Sequence, residues 1–461
     1  MRSGVSIFIA AALASPVLAA DASGPGAAQL ADPDIQAIVQ GISSERIQRS
    51  IYVLSSFKTR NTLSDPLPSG DGIGGAESWI RAEFERASKD AGGRLRVGLD
   101  AFEQPPAPPR VPAAVQITNI VATLPGTDTD PAGRILVVSG HYDSRASNPL
   151  DVTGAAPGAD DDASGTAAVL ELARTMSHYK FSATIVFLAV AGEEQGLDGS
   201  THWAQEAREK NTDIEAMLDN DIIGNSRSEK GDVERGMVRL FAEGVPPTAK
   251  PDDGLLSLLR AGGENDTPPR ELARAIRDIG AQYVPSLKVR VIYRADRYLR
   301  GGDHLPFLER GYPAVRFTEP AEDYRRQHQD VREEKGVPYG DTPDHVDFAY
   351  TADVARVNAS VLAVLARAPA PPREVQIEAA KLENDTTLRW APGTEPDLAG
   401  HRIVWRETTA PFWEHSMDVG KDVNRVTIPG ISKDNVIFGV EAFDSAGHAS
   451  PAVFPSARRT L

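Results

Sequence analysis

Between about residues 115 and 365 the sequence alternates short apolar runs with amphipathic segments. The runs RILVVSG (134–140) and ATIVFLAVAG (183–192) have the pattern of buried strands, and SGTAAVLELARTMSHY (164–179) between them has helical spacing. Strands that alternate with helices in this way form a mostly parallel sheet with helices on both faces. We therefore predict an α/β fold for residues 115–367.

The segments that flank or interrupt this region have different sequence patterns. Residues 21–114 contain two amphipathic helical patterns and a Pro-rich connector, so we predict a helical N-terminal part. Residues 226–288 are polar and punctuated by Pro and Gly, which indicates an insertion or an extended αβ excursion. After a linker at 368–374, residues 375–461 alternate short strands with turns, which predicts an all-β sandwich. This last segment resembles a fibronectin type III module.

The first twenty residues, MRSGVSIFIAAALASPVLAA, carry one Arg, a short apolar run and a small-residue end. This is the pattern of a secretory signal peptide, which we place at residues 1–20. We expect a periplasmic or secreted mature protein. No later run reaches the roughly 18 apolar residues that a membrane-spanning helix needs, so we expect no transmembrane segment.

The charge and the cysteine content exclude several classes of function. The 461 residues include 65 acidic and 49 basic side chains, for a net charge of −16. This balance argues against nucleic acid and anionic membrane surfaces as partners. The chain has no cysteine, so disulfides and thiol catalysis are excluded. A metal would be held by His, Asp and Glu side chains, which suits zinc.

Metal-competent side chains follow three of the predicted strands. The strand patterns run directly into HYD (141–143) and EE (193–194), and a third ends in DND (219–221). Because ligands bind beyond the carboxyl ends of parallel strands, we expect these groups to meet at one edge of the sheet.

Two of these motifs suggest a division of roles. Asp143 lies two positions after His141, so on an extended segment its carboxylate can accept the other imidazole N–H. The neighbours Glu193 and Glu194 must point in different directions, so one can bind metal while the other is a general base. A third motif, GADDDASG (158–165), places three carboxylates in a row. Adjacent like charges resist burial, so we expect a solvated acidic turn here unless the carboxylates share a cation.

Four motifs, HYDS, PGADDDASG, AGEEQGLDGS and DNDIIG, occur in an order and spacing that resemble a known family. They resemble the bacterial and fungal two-zinc aminopeptidases of the leucyl aminopeptidase and aminopeptidase Y type, related to glutamate carboxypeptidase. The resemblance covers about residues 115–365. It implies a zinc exopeptidase-like fold, two Zn²⁺ per chain, and hydrolysis of peptides with a free N-terminus.

The resemblance also implies roles for individual residues. His141 and Asp221 would bind one zinc, Glu194 the other, and Asp161 would bridge both. Glu193 would be the general base. Asp162 would shape the turn after a cis peptide bond from Asp161.

The last metal ligand is a histidine for which the sequence offers two candidates, His328 and His345. We favour His328 because of its distance from FTEPAEDY (317–324), and we expect Asp330 to support it. His304 is expected either to line the pocket or to cap a helix.

Three other functions stay open at this point. A two-zinc aminoacylase or carboxypeptidase also uses an H-x-D motif and a Glu pair. These enzymes usually contain an inserted dimerisation domain, and residues 226–288 are a weak candidate for one. A glutaminyl cyclase-like acyltransferase would hold a single zinc, and a non-catalytic binding protein would have lost a ligand or the base. The retained set of residues favours the two-zinc peptidase. No motif identifies a partner for the C-terminal module.

Overall fold

The computed structural model describes residues 32–127, 133–246 and 252–458. The predicted signal peptide, 1–20, lies outside these residues. Within them, the α/β fold predicted from the alternation of strands and helices is confirmed.

An eight-stranded sheet is the centre of the molecule. Its order is β1-β2-β4-β3-β5-β8-β6-β7, and β4, β3, β5 and β8 run parallel to one another. The pairs β1–β2, β2–β4 and β6–β8 are antiparallel, while β6–β7 is parallel. The strands are β1 Arg96–Gln104, β2 Val115–Leu124, β3 Ile135–His141, β4 Thr184–Val190, β5 Ile214–Asn220, β6 Met237–Phe241, β7 Lys288–Ile292 and β8 Ala314–Thr318.

Helices cover both faces of the sheet because its strands are apolar on both sides. In β3, Leu136 and Val138 point into one core while Val137 points into the other, as strand alternation requires. The helices are α1 Pro33–Gly41, α2 Ser44–Ser56, α3 Ile73–Asp90, α4 Ala163–Met176, α5 Glu193–Gly196, α6 Asp198–Glu209, α7 Asp253–Arg260, α8 Pro268–Tyr283, α9 His304–Glu309 and α10 Phe348–Arg367. The larger core receives side chains from α1–α4, α8 and α10, and the smaller core from α6 and α9.

Among the described helices, α10 is the one that is long and apolar enough to cross a membrane. Most of it is buried inside the protein, where it contacts α1, α2, α4 and α8. Its apolar composition is therefore explained by its position in the larger core.

The prediction of a helical part over 21–114 is incomplete. Its first helical pattern is two helices, because α1 ends at Gly41 and the Ser43 hydroxyl accepts the Arg46 N–H (3.3 Å) to begin α2. The segment also contributes the edge strand β1, which sequence reasoning missed. Its residues are exposed or half-buried, so it lacks the apolar run that marked the other strands.

Residues 226–288 continue the main sheet. They supply β6 and, through α7 and α8, lead into β7, which pairs with β6 at the sheet edge. Helix α8 packs on the larger core beside α10. Within 226–246 and 252–288 the described chain therefore forms no separate dimerisation domain.

Two small sheets form the C-terminal part, after linker residues 368–374. One has the order β15-β12-β11-β17 and the other β14-β13-β16, and all pairs but β11–β17 are antiparallel. Trp390 and Trp405 are buried in the core between them. The resemblance to fibronectin type III stays a prediction. The strands are β11 Gln376–Glu378, β12 Thr386–Arg389, β13 Leu398–Glu407, β14 His415–Gly420, β15 Arg425–Ile428, β16 Val436–Asp444 and β17 Ser456–Arg458. Between β8 and α10, β9 Arg332–Glu334 and β10 Val337–Tyr339 form a separate antiparallel pair.

A buried ionic cluster joins the two parts. Asp266, just before α8, lies 2.6 Å from Arg406 of β13 and 3.1 Å from Arg274 of α8, and all three side chains are almost fully buried. Trp413 donates to Glu271 of α8 (3.1 Å). The sandwich is therefore attached to α8 by buried ion pairs. Removing one partner of such a pair strongly destabilises a protein, because the other charge stays buried without compensation.

We predict that Arg406→Met lowers the free energy of unfolding by about 3 kcal/mol, because it leaves a buried carboxylate short of a partner. Arg425→Met is the matched control, since the Arg425–Glu378 pair (2.9 Å) is solvent-exposed and should contribute less than about 1 kcal/mol. Urea unfolding of both variants measures the difference. Equal losses would show that burial of the Asp266 cluster has no special importance.

Candidate metal centre

The candidate site lies at the carboxyl edge of the parallel strands. His141 is the last residue of β3, and Asp221 directly follows β5. Glu193 and Glu194 open α5, which follows β4 after two intervening residues. The turn before α4 brings Asp161 to the same edge, so the expected convergence of the strand ends is what the structure has.

The Asp161 carboxylate lies between two groups of potential ligands. Its Oδ1 is 3.2 Å from Nε2 of His141, and its Oδ2 is 2.9 Å from Nε2 of His328. The first group is completed by Asp221, whose Oδ1 is 3.9 Å from the His141 nitrogen. The second is completed by Glu194, whose Oε1 is 2.9 Å from the His328 nitrogen. One carboxylate is thus shared by both groups.

The donor set fits zinc. In each group the donor atoms lie within 4.8 Å of one another, and ligands of a tetrahedral zinc are roughly 3.3 Å apart when bonds are about 2.0–2.1 Å. The Nε2 of His141 is buried and makes no hydrogen bond with any described residue, as suits a nitrogen that binds a metal. Imidazole nitrogens together with carboxylate oxygens are ligands that zinc accepts.

The acidic triplet is a tightly built turn. The Asp161–Asp162 peptide bond is cis, as the resemblance implied. Asp162 caps α4 by accepting the Gly165 N–H (2.9 Å), and its other oxygen accepts the His141 N–H (3.0 Å). A Cβ at Gly165 would lie 2.0 Å from the Asn220 carbonyl oxygen, so glycine lets α4 begin directly against the end of β5. The turn is buried, which excludes the alternative of a solvated acidic turn.

Asp143 supports the site in a different way from the one predicted. The Nδ1 of His141 is 3.1 Å from the main-chain oxygen of Asp143 and 3.5 Å from its carboxylate. The carboxylate accepts the N–H groups of Glu193 (3.3 Å) and Glu194 (3.2 Å) and the hydroxyl of Thr62 (2.9 Å). Asp143 therefore positions both the histidine and the start of α5.

The two candidate histidines occupy different places. His328 joins the second ligand group, whereas His345 lies 3.3 Å from Asp341. Asp341 in turn accepts the main-chain N–H groups of Asp160 (2.9 Å) and Asp161 (2.8 Å). His345 therefore stands behind the acidic turn, and the structure brings His328 to the ligands.

Three other predicted positions have partners away from the ligands. Asp330 accepts the N–H (3.1 Å) and hydroxyl (2.7 Å) of Ser147, and among the described residues no contact joins it to His328 as expected. His304 opens α9 with Nδ1 at 3.3 Å from Asp219 and Nε2 at 2.8 Å from a main-chain carbonyl. Asp219 and His304 therefore bind each other at the base of the site.

Sequence reasoning missed several side chains that contact the proposed ligands, of which Arg316 and Gln327 bind their carboxylates most directly. Arg316, 1% exposed, places Nη2 at 2.9 Å from Oδ1 of Asp221. Gln327 donates to the Asp161 carboxylate (3.0 Å). An arginine inside the otherwise apolar strand AVRFT was a signal that could have been read, whereas Gln327 lies in a polar loop without one.

The electrostatics of the cluster favour a cation. Burial alone would raise the pKa of Asp161, but His328 and His141 outweigh it and hold that pKa well below its usual value. Burial lowers the pKa of His328, and Glu194 and Asp161 reverse the effect and raise it to about 9. For Glu193, burial and then the charges of Glu194 and Asp221 raise the pKa well above its usual value. These shifts reflect crowded negative charge that a divalent ion would offset.

Comparison with known proteins agrees with this geometry. Residues 119–362 match peptidase family M28. A "Probable zinc metalloprotease" of Leptosphaeria maculans is 46% identical over 424 residues, which is 92% of this chain and 97% of that protein. Another of the same description from Pyrenophora tritici-repentis is 45% identical, over 92% of this chain and 87% of that protein. The crystal structure of Legionella pneumophila LapA shares the fold at 20% identity, with a TM-score of 0.50 over 72% of this chain and 76% of LapA.

The fold and the ligand set define a zinc metallopeptidase. More narrowly, the chain belongs to peptidase family M28.

We predict that His328→Ala lowers the zinc content of the purified protein, because the second ligand group then keeps only two carboxylates. His345→Ala should leave the zinc content unchanged, since His345 contacts Asp341 and no ligand of either group. Metal analysis by mass spectrometry after dialysis measures both variants. Loss of zinc from the His345 variant alone would reverse the assignment.

Proposed function

We propose that this chain is an exported zinc exopeptidase that hydrolyses the N-terminal peptide bond of peptides with two Zn²⁺ per chain. The observation that carries the proposal is the sharing of Asp161, whose two carboxylate oxygens face separate ligand groups. His141 and Asp221 would hold one ion, Glu194 and His328 the other, and Asp161 both. When bound, zinc lowers the pKa of a coordinated water and polarises the scissile carbonyl.

Glu193 is the residue we propose as general base. It lines the same cleft as the ligands, a space of about 380 Å³, and is itself only partly buried. Its carboxylate accepts no hydrogen bond from any residue that the structure describes, so it is free to take a proton. The Asp143 carboxylate fixes the main chain at this position through the Glu193 N–H. Glu193 would accept a proton from the attacking water and pass it to the leaving amine.

The aminopeptidase specificity rests on the resemblance of the four motifs. Export rests on the signal-peptide pattern of residues 1–20, and it would place the enzyme in the periplasm or outside the cell. Peptides with a free N-terminus are the proposed partners. The net charge of −16 supports the absence of nucleic acid among them.

We predict that Glu193→Gln keeps the zinc content of the wild type but lowers kcat by about 10²–10⁴-fold, because the amide cannot accept the proton. Glu209→Gln, on the exposed end of α6, is the control and should retain full activity. Hydrolysis of an aminoacyl-aminocoumarin together with metal analysis provides both readouts. Retained turnover in the Glu193 variant would reject it as the base.

We predict that a chelator abolishes hydrolysis of this substrate and that added zinc restores it. Acetylation of the substrate amine should also abolish hydrolysis. An enzyme that prefers the acetylated substrate would be an aminoacylase-type amidohydrolase. A protein that binds zinc but cleaves neither form would be a binding protein on a peptidase scaffold.

A further inference from the structure

The cleft above the ligand groups is rich in arginine, although the chain carries a net charge of −16. Its lining includes Arg110, Arg145, Arg297, Arg300 and Arg316. The acidic residues of the same lining are the four that we assign to metal binding and catalysis. The cleft therefore contains more guanidinium groups than those that approach these four carboxylates.

Two of these arginines build the wall of the cleft. Arg316 binds Asp221 and Asp296, and Arg297 places Nη1 at 2.6 Å from Glu322 and Nε at 3.3 Å from Asp296. Because carboxylates already pair with both guanidinium groups, these side chains are largely structural.

The wall also fixes the loop that carries Arg300. Arg316 donates to the carbonyl of Gly301, and a Cβ at Gly302 would lie 3.0 Å from Nη1 of Arg316. Glycine at 302 thus permits the loop between β7 and α9 to pass directly over the buried guanidinium. Arg300 is held at the rim of the cleft as a result.

Three arginines keep donors for a ligand. Arg110 is exposed and donates from Nη1 to the main-chain oxygen of Glu194 (2.7 Å), which leaves its Nη2 and Nε without a hydrogen bond to any described residue. The side chain of Arg145 is only 12% exposed; its Nε donates to the Ala146 carbonyl (3.2 Å) and lies 3.8 Å from the Glu194 carboxylate, so its two Nη groups are the donors that remain. Arg300 is exposed and forms no ion pair with any residue in the described parts of the chain. A guanidinium in a cleft with unused donors is suited to bidentate binding of a carboxylate.

We propose that the enzyme selects substrates that carry a carboxylate beside the scissile bond, and that Arg300, with Arg110 and Arg145, determines this specificity. The inference rests on the proposed function, and names the substrate class of that site as acidic peptides. The carboxylate comes either from an Asp or Glu side chain at the N-terminus or from the C-terminus of a dipeptide. Substrates with a basic first residue are repelled by the same groups.

The test compares kcat/KM of the zinc-loaded enzyme on aminocoumarin amides of Glu, Leu and Lys. We expect Glu to exceed Leu by about tenfold and Lys to be cleaved slowest, with the differences shrinking at about 0.5 M salt. The dipeptide Leu-Leu and its C-terminal amide distinguish the second source of the carboxylate. A preference for Glu, or for the free dipeptide over its amide, supports the inference.

Variants of one loop identify the residue responsible. Arg300→Gln should lower the Glu-to-Leu ratio of kcat/KM about tenfold, and Arg300→Glu should shift the preference towards Lys. Arg294→Gln is the matched control, because Arg294 lies in the same loop, stacks on Tyr298 at 4.4 Å and is outside the lining of the cleft. It should keep the wild-type ratio.

A binding measurement keeps the inference separate from catalysis. Calorimetry should show that Arg300→Gln weakens the binding of glutarate to the zinc-loaded protein about tenfold and leaves the binding of glutaramide, its uncharged diamide, unchanged; the variant comparison is needed because zinc itself also prefers the carboxylate. The inference would be overturned by equal kcat/KM for the Glu and Leu amides, equal kcat/KM for the dipeptide and its amide, and an affinity for glutarate that Arg300→Gln leaves unchanged. Zinc-dependent turnover in the same experiment would leave the proposed function intact. Absence of turnover with every aminoacyl substrate would overturn the proposed function, and the glutarate comparison would still decide the inference.

Discussion

The carboxylate of Asp161 is the interaction on which the site depends. Each of its oxygens approaches a different histidine, so the two ligand groups share one residue and cannot be built independently. Such an arrangement concentrates negative charge in a buried turn, which is unfavourable without compensation. The surroundings supply that compensation locally: Asp341 accepts two N–H groups of the turn, and Asp162 caps α4 beneath it.

Support for the ligands extends outward from this turn through main-chain contacts. The carboxylate of Asp143 holds the first two amides of α5, and its carbonyl oxygen fixes the ring of His141. A change at Asp143 would disturb a proposed metal ligand and the proposed base together. On the opposite side, Arg316 connects Asp221 to Asp296 and so links a ligand to the loop that forms the rim of the cleft.

The sequence was most informative where a rule of topology applied. Carboxyl ends of parallel strands share an edge, so the positions of His141, the Glu pair and Asp221 along the chain were enough to place them together. The chain offers no comparable rule for β1, whose residues are half-exposed at the sheet edge, or for the contact of Asp330 with Ser147. Which oxygen of Asp143 meets His141 depends on the path of the backbone after β3, which no spacing of residues encodes.

The ligands come from five separate segments of the chain, and this spread links metal affinity to the completion of the fold. His328 is supplied only by the loop that follows β8, so an intermediate without that strand contains an incomplete donor set. An ion bound by the finished cluster stabilises the native chain over every partly folded form. The complete donor set therefore exists only in chains in which β8 and the loop after it are in place, so a partly folded chain lacks the metal centre.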